Sequence, residues 1–379
     1  METNHHQEYG KRLQQTRRAM TTHEFDLLFV YGSGKRDMLR MDGIRYLVGL
    51  PMVADHALLR LEHDGAPTLY LSPPSVAAYA QAQTTLCNVL GVNDVVERAA
   101  AELRERKSPA RRIGFIGRAV MPGAMFASLA AALPGEVCVE ENLLQEIGKQ
   151  KSAWEIECVK RAQEVADHGF AHLRNVARPG MREFELAAEL ERLLRMEGAS
   201  DNFGLVAASP HHQAIHPPTA RKLEAGDILI SELSPECEGY FAQLCRTLVL
   251  GPPIARLRGR YEVLKAAFDA GLAAAKPGAF AAEVAESINA VLREAGYGEF
   301  CKPPYMRSRG HGLGQGSCLP GELEVQNKVE LAEGMTFVLH PNQYLPETGY
   351  MMLGETCVVT STGGVSLSSV ERTLFAIDF

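Results

Sequence analysis

Four short stretches of the 379-residue chain carry side chains suited to acid–base or ligating chemistry. In GMTFVLHPNQY (334–344) an apolar run of strand type stops at His340, and Pro341, which lacks an N–H, ends any ladder there. In RSRGHGLGQG, His311 stands between glycines, which let a backbone turn sharply and approach a ligand closely. In SPHHQAIHPPT, His216 follows His211 and His212 and precedes two prolines that stiffen its loop. In MMLGETCVV, Glu355 opens a strand. A neutral imidazole near its ordinary pKa takes a proton from water and later returns it to a leaving nitrogen. A carboxylate beside it holds a cationic or amide N–H part of a substrate. Taken singly, each of these residues is more often structural than catalytic.

A fifth stretch must position them. GDILISELSPECEGYFAQLCRTLVLG has two strand-like runs around a Pro/Gly turn, which reads as a β-hairpin. Period-two alternation puts Ile228, Ile230, Glu232 and Ser234 on one face, and Phe241, Gln243, Cys245 and Thr247 on one face of the return strand. Symmetry about PECEG sets Glu232 opposite Gln243, although a slip of one residue moves either to the other face. A carboxylate in an apolar strand is costly unless paired or functional, and Arg246 is the structural partner available. Cys245 reads first as a packing residue, since nothing local lowers its pKa.

Bulk composition narrows the setting. Apolar residues make up 46% and charged residues 22%, which excludes a disordered chain. Net charge is −7 with no dense basic stripe, so neither nucleic acid nor an acidic membrane is the expected partner. The N-terminal METNHHQEYG has no apolar core of a leader and no run of 18 apolar residues occurs, so a cytoplasmic protein is expected. Eight cysteines without a C-x-x-C pair agree with a reducing compartment.

The first 150 residues alternate between helical and strand patterns, with a helix at 7–21 and strands at 26–31, 44–47, 57–61, 68–71 and 113–116. Beyond a boundary at 147–152, helices are expected at 153–176, 183–197, 261–275 and 281–295. Strands are expected at 228–233, 240–250, 336–340, 355–360 and 373–377. Helices grouped against a largely antiparallel sheet make an α+β fold. The domains are expected at 1–150 and 151–379.

The order and spacing of these pieces resemble the pita-bread-fold family of creatinase, prolidase, aminopeptidase P and methionine aminopeptidase. The resemblance runs through GIRYLVGL (43–50), KSAWEIECVKRA (151–162), HPPT, the 226–251 hairpin, HGLG, EGMTFVLHP and GETCVVT. It implies a creatinase-like N-terminal domain, a pita-bread catalytic domain, and a homodimer in which residues 51–56 reach the partner's pocket. Peptidases of this family hold two metal ions on two Asp, one His and two Glu. The matching positions here are Glu232, Gln243, His311, His340 and Gly354, with Glu355 one residue beyond, so only His311 is unchanged. That loss removes most of the negative charge two hard dications require. GYFAQLCRT resembles the creatinase signature G-Y-x-x-x-L-x-R-T, a branch that works without metal. The resemblance to creatinase assigns its base to His216 and its second histidine to His311, and sets Cys245 and His340 where creatinase has acidic substrate clamps.

The leading expectation is therefore a metal-independent hydrolase of a small-molecule amide or amidine C–N bond, without cofactor. His216 is its base, His311, Glu232 and Glu355 are its further catalytic residues, and His340, Gln243 and Cys245 contact the substrate. A second reading is a mononuclear enzyme holding Zn or Fe on Glu232, His311 and His340, as a hydrolase, lyase or Xaa-Pro-type peptidase relative. A third is a non-catalytic binding module.

Overall fold

The computed structural model describes residues 2–34, 38–51, 54–106 and 109–379, with side chains from residue 6 onward. Two compact units result, Met1–Gly148 and Lys149–Phe379. The 51–56 loop includes Met52 and Val53, which lie outside the described residues.

The first unit contains strands β1 (Leu27–Gly32), β2 (His56–Glu62), β3 (Thr68–Ser72), β4 (Asn88–Gly91), β5 (Arg112–Ile116) and β6 (Glu136–Val139). They form one sheet in the order β4-β3-β2-β1-β5-β6. Its helices are α1 (Glu2–Thr22), α2 (Gly43–Val48), α3 (Ala77–Gln83), α4 (Val95–Arg104), α5 (Gly123–Ala132) and α6 (Leu143–Ile147). Leu28 and Val30 pack with α1 and α2, while Leu27, Phe29 and Tyr31 pack with α4 and α5. A strand covered on both faces reads as a continuous apolar run, as LLFVY does. Residues 44–47, expected as a strand, are helical. The Asp42 side chain accepts from the N–H groups of Ile44 and Arg45, and Gly49 closes the turn at φ 74°.

The second unit begins with α7 (Ala153–Val176), started by a reciprocal cap between Ser152 and Glu155, and α8 (Glu183–Met196). Strands β7 (Asp201–Ser209), β8 (Ile228–Cys237), β9 (Tyr240–Phe241) and β10 (Leu244–Leu250) follow, then α9 (Ala255–Ala274) and α10 (Ala281–Glu294). The C-terminal part supplies β11 (Gly310–Gly312), β12 (Thr336–Leu339), β13 (Gln343–Leu345), β14 (Gly349–Met351), β15 (Gly354–Thr360), β16 (Gly363–Ser366) and β17 (Phe375–Ile377). The main path of the sheet is β11-β12-β15-β10-β8-β7, and only the β10–β17 pairing in it is parallel. Leu229, Leu233, Leu244 and Leu248 pack against α7 and α8, while Ile230 and Val249 join the core built on α9 and α10. The expected α+β class is the one observed.

The hairpin register differs from the sequence reading. Its turn is Glu238–Gly239, with φ 53° and 91°, and Cys237 pairs with Tyr240. Two successive positive φ values describe a turn whose twist matches the strands it joins. Glu232 therefore opposes Cys245 rather than Gln243. A two-residue shift keeps all three side chains on one face.

Candidate functional site

Strand pairing brings the singled-out residues together from distant parts of the second unit. Cys245 on β10 opposes both Glu232 on β8 and Gly354 on β15. A Cβ at Gly354 would lie 2.7 Å from the His340 Cβ and 3.2 Å from the Cys245 Sγ, so the missing side chain is what makes room for both. His311 on β11 opposes Val338, two residues before His340 and on the same face. The two imidazoles meet edge to face with ring centroids 5.6 Å apart. One sheet face thus presents Glu232, Gln243, Cys245, His311 and His340.

This cluster is largely buried and poor in charge. Burial pushes the Glu232 carboxyl up to about 7, against the opposing pull of hydrogen bonds from Cys245 and Gln243. The Cys245 thiol donates to Glu232 Oε2 over 3.6 Å, and Gln243 Nε2 donates to the Cys245 Sγ over 3.6 Å. Burial, then the field of Glu232, drives the Cys245 thiol well above its ordinary pKa, so it keeps its proton. Burial also holds His311 and His340 below the usual imidazole range, and the neighbouring His311 depresses His340 further. Both rings are therefore neutral at pH 7, with lone pairs available. Two buried atoms, Gln243 Oε1 and His340 Nδ1, have no hydrogen-bond partner.

Two expected members lie elsewhere. Glu355 follows Gly354 on β15 and so points to the opposite face, fully buried, where Arg246, Arg372 and Ser366 hold it. Arg246 is thereby the partner of Glu355, not of Glu232. His216 is partly exposed, its Nδ1 is 2.9 Å from the Pro217 carbonyl oxygen, and it makes no hydrogen bond or ring contact with the cluster. Its neighbour His212 is the buried one, with Nε2 2.8 Å from the Ile228 carbonyl and its own carbonyl accepting from the Tyr350 N–H.

Tyr350, whose N–H donates to the His212 carbonyl, is a buried-phenol residue that the sequence reading did not single out. Burial first, then the field of Glu232, holds its phenol protonated. Its β14 position pairs with Tyr344 on β13. A single Tyr in GYMML carries no periodic signal that separates it from packing.

Residues 12–146 match the creatinase/prolidase N-terminal domain, and residues 157–361 match metallopeptidase family M24. The chain belongs to metallopeptidase family M24. Among its relatives, the Xaa-Pro dipeptidase of Pyrococcus furiosus is 30% identical over 237 residues, covering 62% of this chain and 67% of that protein. The uncharacterized peptidase YqhT of Bacillus subtilis is 28% identical over 270 residues, covering 70% and 75%. The solved dipeptidase PepE of Mycobacterium ulcerans superimposes with a TM-score of 0.82 at 25% identity, covering 98% of each chain. The X-Pro aminopeptidase of Thermotoga maritima reaches 0.85 at 21% identity, covering 96% of this chain and 99% of that one, and shows the shared pita-bread fold.

M24 membership bears out an enzyme that hydrolyses a C–N bond, in place of a binding module. It overturns the metal-independent, creatinase-type reading and the expected lack of a cofactor, because the catalytic region is that of a metallopeptidase and the relatives are peptidases. The misleading signature has a structural explanation. In GYFAQLCRT, Tyr240 donates to Glu155 Oε1 at 2.9 Å, Arg246 binds Glu355, and Thr247 donates to the Met352 carbonyl at 2.9 Å. Tyr240 and Arg246 lie on the face opposite Cys245, and the Thr247 hydroxyl on the Cys245 face is taken up by the Met352 carbonyl, so all three serve packing.

The donor set decides how many ions suit this M24 site. The cluster holds one carboxylate, Glu232, since Glu355 faces away, and a pair of hard dications does not fit it. Two neutral imidazoles and one carboxylate are donor types that suit one borderline cation. Among the described residues no three His, Cys, Asp or Glu side chains are already gathered as a metal-binding group.

Proposed function

We propose that this M24 chain hydrolyses the C–N bond of a short peptide or peptide-like amide, of the Xaa-Pro type, with one divalent cation such as Zn or Fe. Glu232, His311 and His340 would hold the ion. The observation that carries the reading is the buried, unpartnered pair His340 Nδ1 and Gln243 Oε1 beside the single carboxylate. When bound, such an ion polarises a carbonyl and acidifies water.

The chain's own groups supply the rest. Cys245 keeps its proton and orients Glu232 Oε2. Gln243 is anchored through Nε2 and offers Oε1 to a substrate N–H. Tyr350, protonated, offers a donor to a substrate carbonyl.

The proposal includes a small-molecule peptide substrate, a homodimer and a cytoplasmic setting. The eight free cysteines support a reducing compartment. Among the described residues no helix is long and apolar enough to cross a membrane.

The test is chelation, followed by metal titration with activity assayed on Xaa-Pro dipeptides and small amides. One ion per chain with restored turnover is expected. Full activity after exhaustive chelation, or two ions per chain, would overturn the proposal.

A further inference from the structure

Arg309 lies just before β11, two residues from His311, and only 2% of it is exposed. Its guanidinium donates to Asn289 Oδ1 at 2.7 Å, to the Asn342 carbonyl at 3.0 Å and to Gln343 Oε1 at 2.9 Å. All three acceptors are neutral, and no carboxylate among the described residues forms an ion pair with Arg309. Burying a cation without a countercharge costs several kcal/mol, and neutral acceptors offset that only in part.

Arg309 is also one of the residues lining a cavity of about 340 Å³ between α10, the 301–309 segment and residues 323–326. Lys302 and Arg307 also line it, and Glu324 is its one acid. Glu324 is already engaged, by Arg307 Nε at 3.2 Å and Gln326 Nε2 at 2.9 Å. Met306, Leu323 and Val325 give the cavity an apolar wall. The lining carries a cationic excess in a chain whose net charge is −7. A cavity that joins a buried, uncompensated guanidinium to further cations suits a compact anion, because the planar fork matches carboxylate and phosphate oxygens alike.

We propose that the Arg309–Lys302 cavity is a second binding site, taking a small organic anion whose carboxylate or phosphate head faces Arg309 and whose apolar part rests on Met306, Leu323 and Val325. The site is separate from the Glu232–His340 cluster and does not depend on the metal reading. It is tied to that cluster through the backbone, since the Arg309 carbonyl accepts from the His340 N–H at 3.0 Å. Occupancy therefore bears on the strand end that sets His340.

The probes are inorganic phosphate, acetate and butanoate, titrated calorimetrically and by the Arg side-chain N–H signals of the full chain. Saturable binding of phosphate or of a carboxylate is expected, and the anion that saturates identifies the head group. For the carboxylates, butanoate is expected to bind tighter than acetate. The double substitution Lys302→Ala with Arg307→Ala is expected to weaken binding at least tenfold with unchanged melting temperature. Because Arg309→Met removes three buried hydrogen bonds and risks unfolding, the double variant carries the test. No saturable binding of any probe at millimolar concentration, or equal affinity in the double variant, would overturn the proposal.

Discussion

Arg246 and Glu355, 109 residues apart, form a fully buried ion pair on the sheet face opposite Glu232. One residue of strand parity separates Glu355 from the site, and Gly354 takes the position facing it. The pair also draws in Arg372, at 2.9 Å from Glu355 Oε2. Removing one partner leaves an uncompensated buried charge. Glu355→Gln is expected to lower stability by about 3 kcal/mol while metal stoichiometry stays unchanged. Denaturant unfolding and elemental analysis check this; a lost ion with intact stability would return Glu355 to the site.

His340 and His216 separate the two histidine roles. His340→Ala is expected to weaken cation affinity at least tenfold, because it deletes one of the proposed ligands. His216→Ala is expected to leave that affinity unchanged, since His216 makes no contact with the cluster and its Nδ1 lies against its own neighbour's carbonyl. Competition with a chromophoric chelator measures both, and the reverse ranking would contradict the arrangement.

Gly354 is a steric prediction. Gly354→Ala puts a Cβ 2.7 Å from the His340 Cβ and 3.2 Å from Cys245. The clash is expected to cost about 2 kcal/mol and to shift the His340 ring signals in an NMR spectrum. Unchanged His340 signals would mean the two strands part more easily than their pairing implies.

In the first unit, Glu102 accepts from Tyr70 at 2.6 Å, Arg60 at 2.7 Å and Arg98 at 2.7 Å. Burial raises its pKa, yet these hydrogen bonds more than offset it and the net shift is downward. A depressed carboxyl stabilises the fold above its unfolded pKa of about 4.5, and that contribution is lost as pH falls through the lower folded value. Glu102→Gln is expected to cost about 1 kcal/mol at pH 7 and progressively less in acid. Equal losses at pH 7 and pH 3 would sink this account.

The hairpin turn offers a stabilising change. Glu238 has φ 53°, a conformation Asn adopts more readily than Glu. Glu238→Asn is expected to add about 0.5 kcal/mol, and Gly239→Val to subtract more than 1 kcal/mol. Thermal unfolding distinguishes them, and a destabilising Glu238→Asn would refute the turn assignment.

The residues themselves carried much of the fold. The strand expected at 26–31 and the helix expected at 153–176 are β1 and α7, and period-two spacing puts Glu232, Gln243 and Cys245 on one face. Local patterns were less able to distinguish a short capped helix from a strand, as at 44–47, where Asp42 and Gly49 decided the outcome. Resemblance to creatinase in GYFAQLCRT pointed to the wrong branch, because those side chains serve packing.

Residue types and order determined the family fold and the shortage of carboxylates at the metal positions. Only the tertiary structure decided that Cys245 faces Glu232, that Glu355 belongs to Arg246 and that His216 stands apart. The physical reason is that each depends on register between segments far apart in sequence. A turn with two positive φ values, or one step of strand parity, moves a side chain to another partner or another face without altering the local pattern.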